Sequence, residues 1–261
     1  MKLSADVLRA YEECLKLSRG DPVRVDKFLH DMNVGTRSQI RKLIKEKTVF
    51  VNDVVAKSGR VKVDPVVDQV RLGEQVITYQ QYFYFMMNKP LGVVTATEDR
   101  KQKTVMDLFN KVDFRKDLFP VGRLDKDTEG LLLITNNGPL AHQLLAPERH
   151  VQKTYEAVVT GQITDPAVKQ FADGIVLKDG TQLKPADLTI LNYSALDEQT
   201  LVHVTLKEGK YHQVRRMFGS LGERVVSLKR ISFGPLQLEE GLLPGTYREL
   251  SDEEIEKLKT E

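Results

Sequence analysis

The chain has 261 residues, 41% hydrophobic and 29% charged, with a formal net charge of +2. That length allows one large domain or two modest ones with a real core, and that balance excludes disordered and fibrous classes. No run approaches the roughly 18–20 apolar residues of a membrane-crossing helix, and the opening segment lacks the apolar stretch of a signal peptide. Cys14 is the sole cysteine, which rules out an internal disulfide, argues against a cysteine-based metal cluster and points to a cytoplasmic protein.

In chain order, residues 1–22 read as an N-terminal extension with Leu3, Val7, Leu8, Tyr11, Leu15 and Leu17 at helical spacing. Basic residues then outnumber acids between Arg24 and Lys62, whereas the tail from Glu239 is acidic by comparison. Such asymmetry suggests a basic module on the N-terminal side. The stretch RVDKFLHDMNVGTRSQIRKLIKEKTVFVNDVVAK predicts two short helices, a turn and a hairpin. Gly35 is expected to end the first helix, and Thr36 with Gln39 has capping-box spacing for the second. On that second helix Ile40, Leu43 and Ile44 share one face, while Arg37, Arg41 and Lys45 line another, with Lys42 beside them. A basic helix face alone is most often plain solvated surface. The order of helix, glycine turn, basic helix and hairpin resembles the S4 RNA-binding domain over about residues 23–70. The resemblance implies that Arg37, Arg41, Lys42 and Lys45 meet RNA phosphates, contacts that give affinity and placement but little sequence information.

The segment LGEQVITYQQ closes a unit over residues 23–80, and a second unit is expected over 83–261. YFYFMMNKPLGVVTAT reads as strand, sharp turn and strand, with Pro90 and Gly92 as breakers. LLLIT is a buried strand, and NNGP turns into a helix, LAHQLL. KTYEAVVTG, DGIVLKDG, ADLTILNY and TLVHVTLKEG read as further strands; 165–172, 212–221 and 252–259 read as helices, with Gly174 and Gly222 where C-caps belong. Many strands with a few helices, without regular βαβ alternation, predict an α+β fold with a mixed, mainly antiparallel sheet.

The chemistry begins with what is missing. There is no phosphate-cradling GxxxxGK[ST], no GxGxxG after a strand, no GxSxG elbow, and the histidines lack metal-ligand spacing. A mechanism with no metal and no cofactor is therefore the expectation. In GRLDKDTEGLLLIT, Asp125 reads either as a turn residue that opens a buried strand or as a carboxylate held at a reaction site.

Context weighs that choice. GRLDKDTEGLLLIT, followed by KTYEAVVTG and EGKYHQVRRMFGSLG, resembles the three signature segments of the pseudouridine synthases. MNKPLGVVT, LPGTYRELSDEEI and the leading S4-like unit resemble the branch that modifies bacterial small-subunit (16S) ribosomal RNA. The resemblance spans about residues 23–258. It implies isomerisation of uridine to pseudouridine: the C1′–N1 bond breaks, the uracil turns, and C1′–C5 forms, with nothing gained or lost. Asp125 takes the place of the carboxylate that attacks or deprotonates near C1′, and Arg215 the place of the cation that keeps it charged. Arg123 takes the place beside the stack vacated by the flipped base. Tyr155 takes that of the aromatic ring that packs on the target nucleotide and can take part in proton transfer, although an aromatic on an alternating strand is usually core. Lys89, Lys153, Lys210, His212 and Arg216 are implied phosphate contacts, with solvated surface charge the competing reading of each. His212 also reads as a helix-start residue, and Asp127 and Thr128 as supports of the loop. The implied partner is 16S ribosomal RNA within a partly assembled small subunit, bound by a monomer. Alternatives are a large-subunit (23S) synthase of the same branch and a non-catalytic ribosome-associated RNA-binding protein.

Overall fold

The computed structural model describes residues 21–261. The amphipathic helix expected at the N-terminus lies outside the described residues. Two compact units part between Gln81 and Tyr82. No helix among the described residues is long and apolar enough to cross a membrane.

The first unit runs β1 (Val23–Arg24), α1 (Val25–Asp31), α2 (Arg37–Lys45), β2 (Val49–Val51), β3 (Val54–Val55), β4 (Lys62–Val63), β5 (Val70–Leu72) and β6 (Gln75–Ile77). Its strands form an antiparallel sheet, β3-β2-β5-β6, and a small β1-β4 pair. The capping box opens α2: Thr36 N donates to Gln39 Oε1 at 2.8 Å and Gln39 N to Thr36 Oγ1 at 3.3 Å. Ile40 and Ile44 then bury against Val25, Phe28 and Leu29, which leaves Arg37, Arg41, Lys42 and Lys45 exposed. One expectation fails. Helix α1 stops at Asp31, and Asn33 rather than Gly35 takes the left-handed turn, with φ 58°. Asparagine tolerates that region, and the turn lets Val34 N return to the Leu29 carbonyl at 3.0 Å. Asn52 and Asp53, at φ 47° and 64°, close the β2–β3 hairpin with the paired positive φ values of a two-residue turn.

The second unit is built on a nine-stranded sheet. Its strands are β7 (Tyr84–Lys89), β8 (Phe119–Pro120), β9 (Glu129–Thr135), β10 (Lys153–Thr160), β11 (Asp187–Ser194), β12 (Gln199–Leu206), β13 (Val225–Phe233), β14 (Leu236–Gln237) and β15 (Tyr247–Glu249). The order is β11-β12-β10-β13-β9-β7-β15, with β14 on β13 and β8 on β9. The helices are α3 (Gly138–Leu145), α4 (Asp165–Asp173), α5 (Gln213–Ser220) and α6 (Asp252–Thr260). Alternation in β12 buries Thr200, Val202, Val204 and Leu206, and the last three join Phe171 of α4 and Met217 and Phe218 of α5 in one core. In a second core Leu131 and Leu133 of β9 pack with Leu140 and Leu144 of α3 and Leu258 of α6.

The halves join where β9 runs parallel to β13 through Lys229↔Glu129 and Arg230↔Gly130. A side chain at position 130 would place its Cβ 2.2 Å from the Arg230 carbonyl oxygen, and Gly130 has φ 106°. Only glycine permits that approach.

Two expected strands are absent. LGVVTAT contributes only an isolated bridge, Val94↔Thr104, and DGIVLKDG only Val176↔Gln182. In the latter the alternation is real, with Ile175 and Leu177 buried and Val176 exposed, but no neighbouring strand is present to complete a ladder. Conversely β13, for which the sequence reading made no strand, pairs with β10, β9 and β14.

Candidate active site

The loop between Gly122 and Gly130 runs into the parallel seam, and its backbone is held from Leu124 to Thr128. Leu124 is buried, and its carbonyl accepts from Thr95 Oγ1 at 2.7 Å while its N–H donates to the same oxygen at 3.2 Å. The Asp125 carbonyl accepts from Thr128 N at 3.1 Å and the Lys126 carbonyl from Gly92 N at 2.9 Å. Asp127 O accepts from Arg215 Nη2 at 2.8 Å, and Thr128 O from Lys89 Nζ at 2.8 Å. Every carbonyl from Leu124 through Thr128 thus has a donor. A side chain on such a loop is aimed before any substrate arrives.

Asp125 opens onto a cleft of about 220 Å³ walled by Arg123, Tyr155, Leu206, His212, Arg215 and Leu228, among others. His212 Nε2 stands 3.6 Å from Asp125 Oδ1, its ring stacked on Tyr211 with centroids 3.9 Å apart. His212 precedes α5 in a left-handed conformation and makes no side-chain cap, so it starts the helix without serving as a capping group. Tyr155 reaches the cleft from β10, and its hydroxyl has no partner among the described residues. Arg123 is exposed at the mouth and likewise unpaired among them.

Arg215 departs from expectation. Its Nη2 pairs with the carboxylate of Asp127 at 3.0 Å, not with Asp125. The turn closed by Thr128 N on Asp125 O directs the two acids to different partners, and Arg215 clamps the loop through Asp127's backbone and side chain together. Its Nε is buried without a partner. Asp127 and Thr128 are loop supports, as the sequence suggests.

Lys89 is a second correction. It is fully buried, with Nζ donating to Pro90 O at 3.0 Å and Thr128 O at 2.8 Å, so it cannot touch an RNA phosphate from this position. Burial lowers its pKa from 10.5 to about 8, against the opposing pull of Asp125, Asp127 and Glu129. It therefore remains mostly charged at neutral pH. A buried ammonium costs several kcal/mol unless satisfied, and charge-assisted bonds of about 1.5–3 kcal/mol each offset that cost.

The other implied phosphate contacts differ in freedom. Arg216 is ion-paired to Asp179, and Lys210 donates to Gln182 O at 2.8 Å. Lys153 donates to Val151 O at 2.7 Å and is half-buried; burial and then the nearby Arg230 lower its pKa to about 8. Arg230, absent from the sequence reading, is 2% exposed and donates from Nε to Leu131 O at 2.8 Å. The sequence marks it only as one of a charged pair, Lys229-Arg230, set between apolar residues.

A rigidly presented carboxylate thus shares a cleft on a mixed sheet with an unpaired tyrosine and several cations. The comparisons make that specific. Residues 83–220 match the family model for RNA pseudouridylate synthase, and residues 23–67 match the S4 domain. The chain is 40% identical to a ribosomal small subunit pseudouridine synthase A of Vibrio cholerae, covering 89% of this chain and 98% of that one. It is 36% identical to a ribosomal large subunit pseudouridine synthase B of Bacillus subtilis, over 90% and 95% of the two. A crystal structure of a pseudouridylate synthase superposes with a TM-score of 0.63 at 37% identity, over 90% of this chain and 99% of that one. The chain belongs to the RNA pseudouridylate synthase family and is a pseudouridine synthase with an S4 RNA-binding domain.

Proposed function

We propose that the chain converts a uridine of small-subunit (16S) ribosomal RNA to pseudouridine, with Asp125 as the nucleophilic carboxylate. The observation that carries the reading is the loop on which Asp125 stands, with each carbonyl from Leu124 to Thr128 occupied. Isomerisation needs C1′–N1 cleaved and C1′–C5 formed while N1 takes up a proton and C5 gives one up. No group is transferred in or out, so catalysis is a matter of holding ribose and uracil against one fixed carboxylate.

The cleft suits an extruded base. Unstacking costs a few kcal/mol, and Tyr155 offers a face on which a base gains about 1–3 kcal/mol. Arg123, exposed at the mouth, suits the vacated stack. Arg215 acts on Asp125 by fixing its loop, and His212 is the group that approaches the carboxylate itself. The S4 domain supplies a phosphate grip through Arg37, Arg41, Lys42 and Lys45. The small-subunit target is supported by KTYEAVVTG and by the 40% identical relative; a large-subunit target is the competing reading, supported by the 36% identical one.

The test is to map pseudouridines across both ribosomal RNAs in cells with and without the protein, and in cells carrying Asp125→Asn. One small-subunit site absent from the deletion and from the variant is expected. A missing large-subunit site moves the target, and an unchanged map in the variant removes Asp125 from the chemistry.

A further inference from the structure

Beside the catalytic cleft lies a second one of about 380 Å³, which shares Arg123, Tyr155 and Lys210 with it and continues over Lys153, Arg230 and Phe233. Arg230 is 2% exposed, and its Nη2 has no hydrogen-bond partner among the described residues. Lys153 lies on the neighbouring strand, and both cations lie near the Phe233 ring, at 5.1 Å for Arg230 and 5.5 Å for Lys153. The acid on the wall, Glu208, is already engaged: Oε1 accepts from Lys184 N at 3.0 Å and from Gln213 Nε2 at 2.7 Å. Lys184 and Lys207 add further positive charge.

A half-buried lysine and a buried arginine side by side repel each other, and a buried guanidinium nitrogen without an acceptor is costly. An anion removes both costs at once, and the planar guanidinium matches a phosphate's oxygens. The two clefts meet along Arg123, Tyr155, Gly209 and Lys210, which line both.

We propose that Arg230 and Lys153 form an anion subsite that seats a backbone phosphate of the RNA next to the uridine being isomerised. The subsite's existence stands on its geometry alone, while the source of the phosphate rests on the function proposed above. The neighbouring phosphate, once seated, holds the strand on the far side of Tyr155 while the base occupies the cleft at Asp125.

Calorimetric titration of the full chain with orthophosphate at pH 7 tests the subsite, using wild type, Lys153→Met, Arg230→Lys and Asp125→Asn, each checked for cooperative melting. Wild type and Asp125→Asn should bind alike, and the two subsite variants about tenfold more weakly or worse, as expected for one lost charge-assisted contact. Arg230 is buried, so if Arg230→Lys misfolds, Lys153→Met carries the test. Absence of binding to folded wild type, or equal binding by Lys153→Met, overturns the proposal. With ribosomal RNA as substrate, Lys153→Met should raise KM more than it lowers kcat, and Asp125→Asn the reverse. Weakened phosphate binding with unmoved KM means the subsite takes free phosphate, which overturns the RNA assignment. No pseudouridine from wild type breaks the proposed function and leaves the titration to stand by itself.

Discussion

Both units carry many lysines and arginines, and they use them in opposite ways. Along α2 of the first unit, Arg37, Arg41, Lys42 and Lys45 stand exposed, with Lys42 loosely paired to Glu46 at 3.8 Å. In the second unit Lys89, Arg215 and Arg230 are drawn inward onto the carbonyls of Thr128, Asp127 and Leu131. Exposed cations on a helix release counterions from any polyanion and cost nothing when unoccupied. Buried ones must find acceptors, and where those acceptors are backbone carbonyls of one loop, they become its scaffold. Residue type alone does not separate the two uses; burial does.

The comparison can be broken in several ways, beginning with the largest effect. Asp125→Asn should keep RNA affinity and lower pseudouridine formation by about a thousandfold or more, as loss of a nucleophile does; near-wild-type single-turnover rates would refute the assignment. Lys89→Met should lower kcat by roughly ten- to a hundredfold through a loosened Asp125 loop, without moving the salt dependence of RNA binding. A changed salt slope would mean that Lys89 meets phosphate after all. Replacing Arg37, Arg41 and Lys45 together by alanine should do the opposite, reducing the slope of log affinity against log salt by about one per lost contact. If that triple variant lost kcat rather than affinity, the division of labour would fail.

The smallest effect is a pH dependence of stability. Lys89 and Lys153 have folded pKa values lowered from 10.5 to about 8. Below pH 8 both the folded and unfolded chains hold these protons. Between about 8 and 10.5 the unfolded chain keeps protons that the folded one has released, so stability rises with pH in that window. Urea unfolding at pH 7 and pH 9 should show wild type gaining on the order of 1 kcal/mol relative to Lys89→Met. A gain of the same size in both proteins would show that Lys89 titrates normally.

Much of the site was legible where local signals suffice. The alternation of KTYEAVVT and QTLVHVTL specified β10 and β12, and Thr36 with Gln39 announced the start of α2, because periodicity and capping act within a few residues. GRLDKDTEGLLLIT placed Asp125 immediately before a buried strand. The segment around Val176 misled for the same reason, since burying alternate side chains needs no partner strand whereas a ladder does.

By itself, then, the sequence determined the two-unit order, most of the helices and strands, the basic face of α2 and the place of Asp125 ahead of a buried strand. Only the tertiary structure decided that β9 meets β13 in parallel at Gly130, that Arg215 clamps Asp127, and that Lys89 is spent on Thr128. It also decided that Arg230 is buried with a donor to spare. Each of these joins residues far apart in the chain, and the choice of partner depends on which surfaces pack and how completely they exclude water. That competition is settled in three dimensions and leaves no periodic trace along the chain.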